Sequence, residues 1–190
     1  MNMHPNWSEE KVYFSSTEYF NDLSHAILHA QKSIDLEVYI YANDETGTKI
    51  TKALCEAVKR GVSVRVLVDG FGSPFWYYYH GQELLKAGAQ VRVYHPLPLK
   101  LSTLVIKRFP FVTLQKVIRL LAYANRRNHR KTWVIDEQTA WVGSMNITSA
   151  HHDWHDTAVK VKGEAIELLK NAFERAWLIS QPEHKFIDFF

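Results

Sequence analysis

The chain has 190 residues, of which 46% are hydrophobic and 23% charged, and its formal net charge is +3. This balance excludes a disordered or low-complexity chain, and the length predicts one domain, 1–190, with a sizeable core. The mildly basic charge favours anionic partners such as phospholipid headgroups or nucleic acid. The single cysteine, Cys55, excludes a disulfide within the chain, and its helical spacing from apolar neighbours predicts a core thiol.

The first half of the chain alternates helical and strand patterns. Apolar residues at helical spacing predict helices over 16–32, 47–60 and 81–87. Alternating or continuous apolar runs predict strands over 33–41, 62–68 and 90–94. This β-α-β-α-β order predicts an α/β layer with parallel strands.

The second half begins with a basic apolar insertion at about 97–128, within which 112–124 can form a short helix. The remaining sequence predicts a hairpin of strands 131–135 and 139–142, a strand over 154–161 and an amphipathic helix over 164–179. The predicted fold class is therefore α/β, with a mixed, mostly parallel sheet flanked by helices on both faces.

The basic apolar insertion permits three interpretations. It can lie in a membrane interface with its cations at the headgroups, where each cation near an anionic leaflet adds about 1 kcal/mol. It can equally be packed in the core with solvated cations, or form a nucleic-acid groove, although such grooves favour aromatic platforms. The polar segment 1–11 does not resemble a signal peptide, and no apolar run approaches the ~20 residues of a spanning helix. We therefore expect a cytoplasmic protein that is peripheral at the membrane surface.

Two polar pairs flank the predicted hairpin. His129 and Lys131 are two residues apart, so on a strand their side chains share a face. Ser144 and Asn146 have the same spacing after the second strand. Pairing of the two strands would bring both pairs to one end of a sheet. A nucleophile surrounded by several donors for non-bridging oxygens is what phosphate chemistry requires.

The full spacing of these residues is His129-x-Lys131-x4-Asp136-x6-Gly143-Ser144-x-Asn146. It resembles the HxKxxxxD and GSxN signature of the phospholipase D superfamily, and every position of that signature is matched. The resemblance implies a phospholipase D-like fold and a reaction that needs no metal or other cofactor. It also implies that His129 is the nucleophile, forming a phosphohistidine, and that Lys131, Ser144 and Asn146 line the phosphate site.

Two acidic residues complete the candidate catalytic set. Asp136 is five positions after Lys131, an odd number, so on a regular strand it points away from the pocket. We interpret it as a structural ion-pair residue of the motif rather than a proton carrier. Asp156 occupies the place where family members carry an acid that fixes the histidine tautomer, although it can also be a surface strand residue. The histidine-rich run 151–155 lacks a closed ligand set of known spacing, so no metal is predicted.

The resemblance extends beyond the motif to the first half of bacterial cardiolipin synthases. The segments that carry it are 34–40, 61–73, 87–89, 94–96, 128–131, 154–157 and 161–163. That family transfers a phosphatidyl group between two lipids, which implies an anionic phospholipid substrate. Water as the acceptor would give phospholipase D activity, and attack on nucleic acid would give a homodimeric, metal-independent endonuclease. Both remain open, as does a half-domain that binds anionic membranes without turnover.

The chain departs from cardiolipin synthases in the number of motifs. Those enzymes carry two HxKxxxxD motifs in one chain, and this sequence has one. Two are needed because one histidine attacks phosphorus while the other protonates the leaving group. We therefore expect the second half to come from a homodimer mate or from a separate chain.

Overall fold

The computed structural model describes residues 7–96, 127–151 and 154–182. Most of the basic apolar insertion, including the helix predicted at 112–124, lies outside the described residues. So do two positions, 152 and 153, of the histidine-rich run.

The described chain forms eight strands and four α-helices. The strands are β1 (Trp7–Tyr13), β2 (Ser33–Val38), β3 (Ser63–Asp69), β4 (Gln90–Tyr94), β5 (Thr132–Ile135), β6 (Thr139–Gly143), β7 (Ala158–Gly163) and β8 (Gln181–Pro182). The helices are α1 (Ser16–His29), α2 (Glu45–Lys59), α3 (Gln82–Ala87) and α4 (Ile166–Ile179). A π-helical turn, Tyr77–Gly81, leads into α3, and a 3₁₀ turn, Ser149–His151, follows β6.

The strands form one mixed sheet in the order β1-β7-β6-β5-β2-β3-β4-β8. The two β-α-β crossovers make β2, β3 and β4 parallel neighbours, as the first half of the sequence predicts. The other five pairings are antiparallel, including the predicted β5–β6 hairpin. The mixed α/β prediction is confirmed, but the parallel share is smaller than predicted, because the crossovers specify only the central three strands.

The helices begin and end where the sequence provides caps. Ser15 accepts a hydrogen bond from the backbone N–H of Glu18 at the start of α1, and Asp44 accepts one from Gly47 at the start of α2. Gly61, with φ of 90°, follows α2 in the left-handed conformation that glycine adopts readily, and the helix ends there.

Helices cover both faces of the sheet. Helices α1, α2 and α3 pack on one face, where the large core includes Leu23, Leu36, Leu54 and the predicted core thiol of Cys55. Helix α4 packs on the other face, with Phe173 and other residues against a smaller apolar cluster. The central strands are therefore buried on both sides, so any charged side chain that they carry needs a partner.

Two strands were absent from the sequence prediction. β1 is polar, and residues 8–12 are exposed, because it lies at the sheet edge and pairs with β7. β8 has two residues and pairs with β4. Neither strand carries the alternating apolar pattern that identifies a half-buried strand, since backbone pairing rather than side-chain burial defines both.

Candidate active site

His129 and Lys131 lie together immediately before β5. The Lys131 Nζ atom is 3.1 Å from Nδ1 and 3.2 Å from Nε2 of His129, and it donates to the His129 backbone oxygen at 2.9 Å. Lys131 is buried, with 4% of its surface exposed. Burial lowers the pKa of its ammonium group, and the negative charge of Asp156 acts in the opposite direction. The structure thus brings the imidazole and the ammonium into one pocket.

Tyr39 forms a wall of this pocket, a role that sequence reasoning missed. Its ring centroid is 4.5 Å from that of His129, and Lys131 Nζ lies 5.2 Å from the same centroid. A Cβ atom at Gly72 would come within 2.4 Å of the Tyr39 backbone oxygen, so only glycine permits this approach. The aromatic face holds both reactive side chains by packing and by attraction to the cation.

Asn146 is fixed to the end of β2. Its Oδ1 atom accepts from the backbone N–H of Ile40 at 3.1 Å, and the next residue, Ile147, donates to the Ile40 oxygen at 3.0 Å. Since the carboxamide oxygen is engaged, the NH₂ group is the part of the side chain that remains to bind a phosphate oxygen.

Ser144 is bonded to the strand segment that follows it. Its hydroxyl donates to the Thr157 oxygen at 3.3 Å and accepts from the Thr157 N–H at 3.0 Å. Gly143 makes this contact possible, because a Cβ atom there would lie 2.3 Å from the same oxygen. Ser144 therefore holds the segment that carries Asp156. Of the two predicted residues, Asn146 is the one that contacts the end of β2.

Asp156 is half-buried and acts on Lys131. Its charge raises the pKa of the lysine ammonium against the effect of burial. Among the described residues, no hydrogen bond joins Asp156 to the His129 ring. In the described structure, Asp156 therefore acts through its charge on the Lys131 ammonium group, and it is not a hydrogen-bond partner of the His129 ring.

Asp136 lies in the β5–β6 turn, at the opposite end of β5 from His129. Its carboxylate accepts backbone N–H groups of Gln31, Lys32 and Ser33 at 2.7–3.1 Å. Burial alone would raise the pKa of this carboxyl, but the three backbone donors lower it below its ordinary value. The predicted ion pair is therefore a minor part of this contact: backbone amides bind Asp136 and anchor the start of β2, and the charge of Lys32 adds a smaller lowering of its pKa.

Two buried carboxylates hold the residue before the histidine. The Asn128 backbone N–H donates to Asp69 Oδ2 at 2.8 Å, and its Nδ2 donates to Glu37 Oε1. Glu37 and Asp69 are 1% and 0% exposed. Burial raises the pKa of Glu37, while Asn128 and Arg130 oppose that rise. We call these two contacts of Asn128 the clamp. Sequence reasoning missed it, although a glutamate in a central strand covered by helices on both sides indicates a buried carboxylate that needs a partner.

A cavity of about 530 Å³ adjoins the histidine. It lies between the segment 127–130 and helix α4, and His129 forms part of its lining. Across the described ranges, no group of three or more His, Cys, Asp or Glu side chains is placed to hold a metal ion. No described helix is both long enough and apolar enough to cross a membrane.

Comparison with solved structures identifies the fold. The chain superimposes on Nuc, a phospholipase D family member from Salmonella typhimurium, with a TM-score of 0.63 and 21% identity, over 92% of this chain and 98% of Nuc. NucT from Helicobacter pylori gives the same TM-score at 14% identity. The chain therefore has the fold of the phospholipase D family members.

The particular family follows from the sequence comparisons. Residues 23–177 match the family described as "Cardiolipin synthase, PLD-like domain", and the chain belongs to that family. A cardiolipin synthase from Clostridium perfringens is 32% identical over 87% of this chain, and the major cardiolipin synthase ClsA of Bacillus subtilis is 30% identical over 97%. The chain spans about a third of the length of these relatives, 32% and 36% respectively.

Proposed function

We propose that this chain catalyses phosphodiester transfer on phospholipids through a phosphohistidine at His129. The observation that carries the proposal is the position of Lys131, whose ammonium group is within hydrogen-bonding distance of both His129 ring nitrogens. Donation from an ammonium group requires an unprotonated ring nitrogen, which is the form that attacks phosphorus. The pair therefore combines a nucleophile with a cation for the developing phosphate charge.

In the first step a His129 ring nitrogen forms a bond to the phosphorus of the donor lipid. The bond between phosphorus and the headgroup oxygen breaks, and a second histidine supplies the proton that this oxygen takes up. Lys131 transfers its N–H donors from the imidazole to a non-bridging oxygen, and the NH₂ group of Asn146 binds another. Fixed donors of this kind stabilise the charge that builds up in the transition state.

In the second step an alcohol attacks the phosphohistidine. The second histidine takes the alcohol proton, the new oxygen–phosphorus bond forms, and the bond to His129 breaks, which restores the starting site. A lipid alcohol gives phosphatidyl transfer, and water gives hydrolysis of the phospholipase D type.

The relatives support phospholipids as substrates. Two cardiolipin synthases match 87% and 97% of this chain, a span that includes all six candidate site residues. Because phospholipids lie in bilayers, the enzyme would act on them as a peripheral protein at the membrane surface. We propose that a second motif outside residues 1–190, such as that of a homodimer mate, supplies the second histidine.

A homodimeric, metal-independent endonuclease is the alternative. The observation that favours it is the fold, because the chain superimposes on 98% of Nuc with a TM-score of 0.63. A strand of nucleic acid would present the same phosphodiester to the same histidine, and two copies around a twofold axis would supply both histidines.

Turnover of purified protein on phosphatidylglycerol vesicles and on plasmid DNA, each with chelator present, separates the two functions. We expect lipid products that are lost in His129→Ala and retained in the matched control His25→Ala, since His25 lies exposed on α1. Acid-labile phosphate on His129 in stopped reactions would identify the intermediate. Cleavage of DNA alone supports the alternative, while vesicle binding without turnover, unchanged in His129→Ala, supports a membrane-binding half-domain.

A further inference from the structure

The segment that carries Asn146 leaves the sheet after β6. In the described structure its pairing with the end of β2 is an isolated parallel bridge between Tyr41 and Ile147. The backbone N–H of Thr148 donates to the Asn146 oxygen at 3.1 Å, so these two residues move together. The position of the Asn146 amide therefore depends on what holds the far end of the segment 146–149.

The carboxylate of Asp44 holds that far end. Its Oδ2 atom accepts from the Thr148 hydroxyl at 2.8 Å and from the backbone N–H of Ser149 at 2.6 Å. Its Oδ1 atom accepts from the backbone N–H of Gly47 at 2.9 Å, which is the N-cap bond of α2. Burial alone would raise the pKa of Asp44, but these donors lower it below its ordinary value, so the carboxylate is ionised at neutral pH.

Capping of α2 requires only one of the two carboxylate oxygens. Ser15 caps α1 with a single hydroxyl, and serine and aspartate are about equally good N-caps. The Oδ2 atom of Asp44 is therefore not needed for the helix and is committed to the segment 146–149. Thr46 adds a second link, because its Oγ1 atom lies 3.0 Å from the Ser149 hydroxyl oxygen. The start of α2 is thus the support on which this segment rests.

A short path connects this support with the side chain of Asn146. Ile147 is 1% exposed, and its backbone N–H and oxygen bond to Ile40 and Ala42 respectively. The Asn146 Oδ1 atom accepts from the Ile40 N–H, which fixes the near side of the segment. With Asp44 fixing the far side, the carboxamide is held from both ends and its NH₂ group keeps one orientation.

We propose that Asp44 is a positioning residue, which holds the NH₂ group of Asn146 where it binds a phosphate oxygen. The inference rests on the proposed function and adds to it a residue more than one hundred positions away from the segment it supports. Among the described hydrogen bonds of Asp44, none joins it to His129 or Lys131, so its effect on the reaction passes through the segment 146–149.

Asp44→Ser separates positioning from capping. Serine retains the cap of α2 and removes the oxygen that Thr148 and Ser149 share. We expect kcat for hydrolysis of short-chain phosphatidylglycerol to fall about 10–100-fold, with KM changed less than about threefold, because the displaced amide contributes mainly in the transition state. Ser15→Ala is the matched control: it removes the cap of α1, and it should lower Tm while leaving kcat within about twofold.

Double variants test whether Asp44 acts through Asn146. Thr148→Val removes the hydroxyl at the other end of the contact, so it should slow the reaction by itself and add less than about twofold to Asp44→Ser. In Asn146→Ala protein, Asp44→Ser should cost less than about threefold more in kcat, because the amide that it positions is already gone. Losses that multiply in both pairs overturn the proposal, since they show that Asp44 supports the reaction by another route.

Hydrogen exchange keeps the positioning role testable if the protein turns over no lipid. The Ile40 N–H donates to Asn146 Oδ1, so its exchange rate, measured by NMR, reports whether the carboxamide is in place. We expect Asp44→Ser to raise this rate about tenfold or more and Ser15→Ala to leave it within about twofold. A raised rate without lipid turnover in the unmodified protein supports the positioning of Asn146 although the proposed function fails. An unchanged rate, or a raised rate with unchanged kcat in an active protein, refutes the proposal.

Discussion

Substitution of Asn128 by alanine tests whether the buried carboxylates position the nucleophile. Asn128 directly precedes His129, and its side chain donates to a carboxylate of Glu37 that is 1% exposed. Alanine removes this donor and leaves Arg130 Nη1, at 3.4 Å, as the side-chain partner of Glu37 in the described structure. The free energy of unfolding should therefore fall, and the segment that carries the histidine should lose one of its two anchors.

The size of both effects follows from the geometry. A hydrogen bond to a charged group contributes about 1.5–3 kcal/mol, and the upper part of this range applies here because water cannot reach Glu37 to replace the amide. Displacement of a reacting atom by about 1 Å costs roughly 10²-fold in rate. We expect Asn128→Ala to lose about 2–3 kcal/mol of stability and kcat for lipid hydrolysis to fall about 10–100-fold, with KM changed less than about threefold.

The stability loss should depend on pH in a defined direction. Burial raises the pKa of Glu37 above 4.5, and the Asn128 hydrogen bond opposes that rise, so alanine raises the pKa further. A carboxyl whose pKa is raised in the folded state stabilises the protein when protonated and loses that contribution as pH increases. The deficit of Asn128→Ala should therefore be largest near neutral pH and should shrink as the pH falls towards 4.5.

Urea unfolding between pH 4 and 8, combined with steady-state kinetics, provides the measurement. Asn171→Ala is the matched control, since Asn171 donates to a glutamate in the same way but on the exposed surface, at 3.5 Å from Glu167. It should change stability by less than about 0.5 kcal/mol. If Asn128→Ala keeps kcat within about twofold while losing the expected stability, the clamp is structural and the positioning argument fails.

Three further substitutions test other parts of the site. Asp136→Asn should lower the free energy of unfolding in urea by about 1–3 kcal/mol at pH 7, because backbone amides bind the ionised carboxylate. The loss should be smaller at pH 3, because a carboxyl whose pKa is lowered in the folded state loses its stabilising contribution as the pH falls. Asp156→Asn should move the alkaline limb of the kcat/KM profile to lower pH, since it removes the charge that raises the pKa of Lys131. Gly143→Ala should lower Tm, because its Cβ would lie 2.3 Å from the Thr157 oxygen.

The reactive pair could be predicted from sequence because its geometry is local. Two residues at strand spacing share a face whatever the rest of the fold does, so His129 and Lys131 could be placed together without knowledge of the sheet. The pairing of β5 with β6 required only a short hairpin. This hairpin sets the position of Asn146, which follows β6, relative to Lys131, which precedes β5. These features depend on few residues close together in the chain.

The parts that sequence reasoning missed depend on long-range pairing. Glu37 and Asp69 meet Asn128 across 91 and 59 residues, and no periodicity connects positions so far apart. The main partners of Asp136 were missed for the same reason, since the donors are backbone amides at 31–33, which have no side-chain signature. Strand parity did not apply to this side chain, because Asp136 lies in the turn after β5 with a φ of 52° rather than on a regular strand.

The distribution of charge around the histidine connects these observations. Lys131 is buried beside the nucleophile, where loss of hydration lowers the pKa of its ammonium group and Asp156 resists that change. On the other side, both terminal nitrogens of Arg127 are buried, and no residue that the structure describes accepts a hydrogen bond from them. Burial of both groups costs hydration, and binding of a phosphate offsets part of that cost. A site preorganised in this way stabilises the charge of the transition state without reorienting its own groups, which is how cations and amide donors can support the reaction at His129.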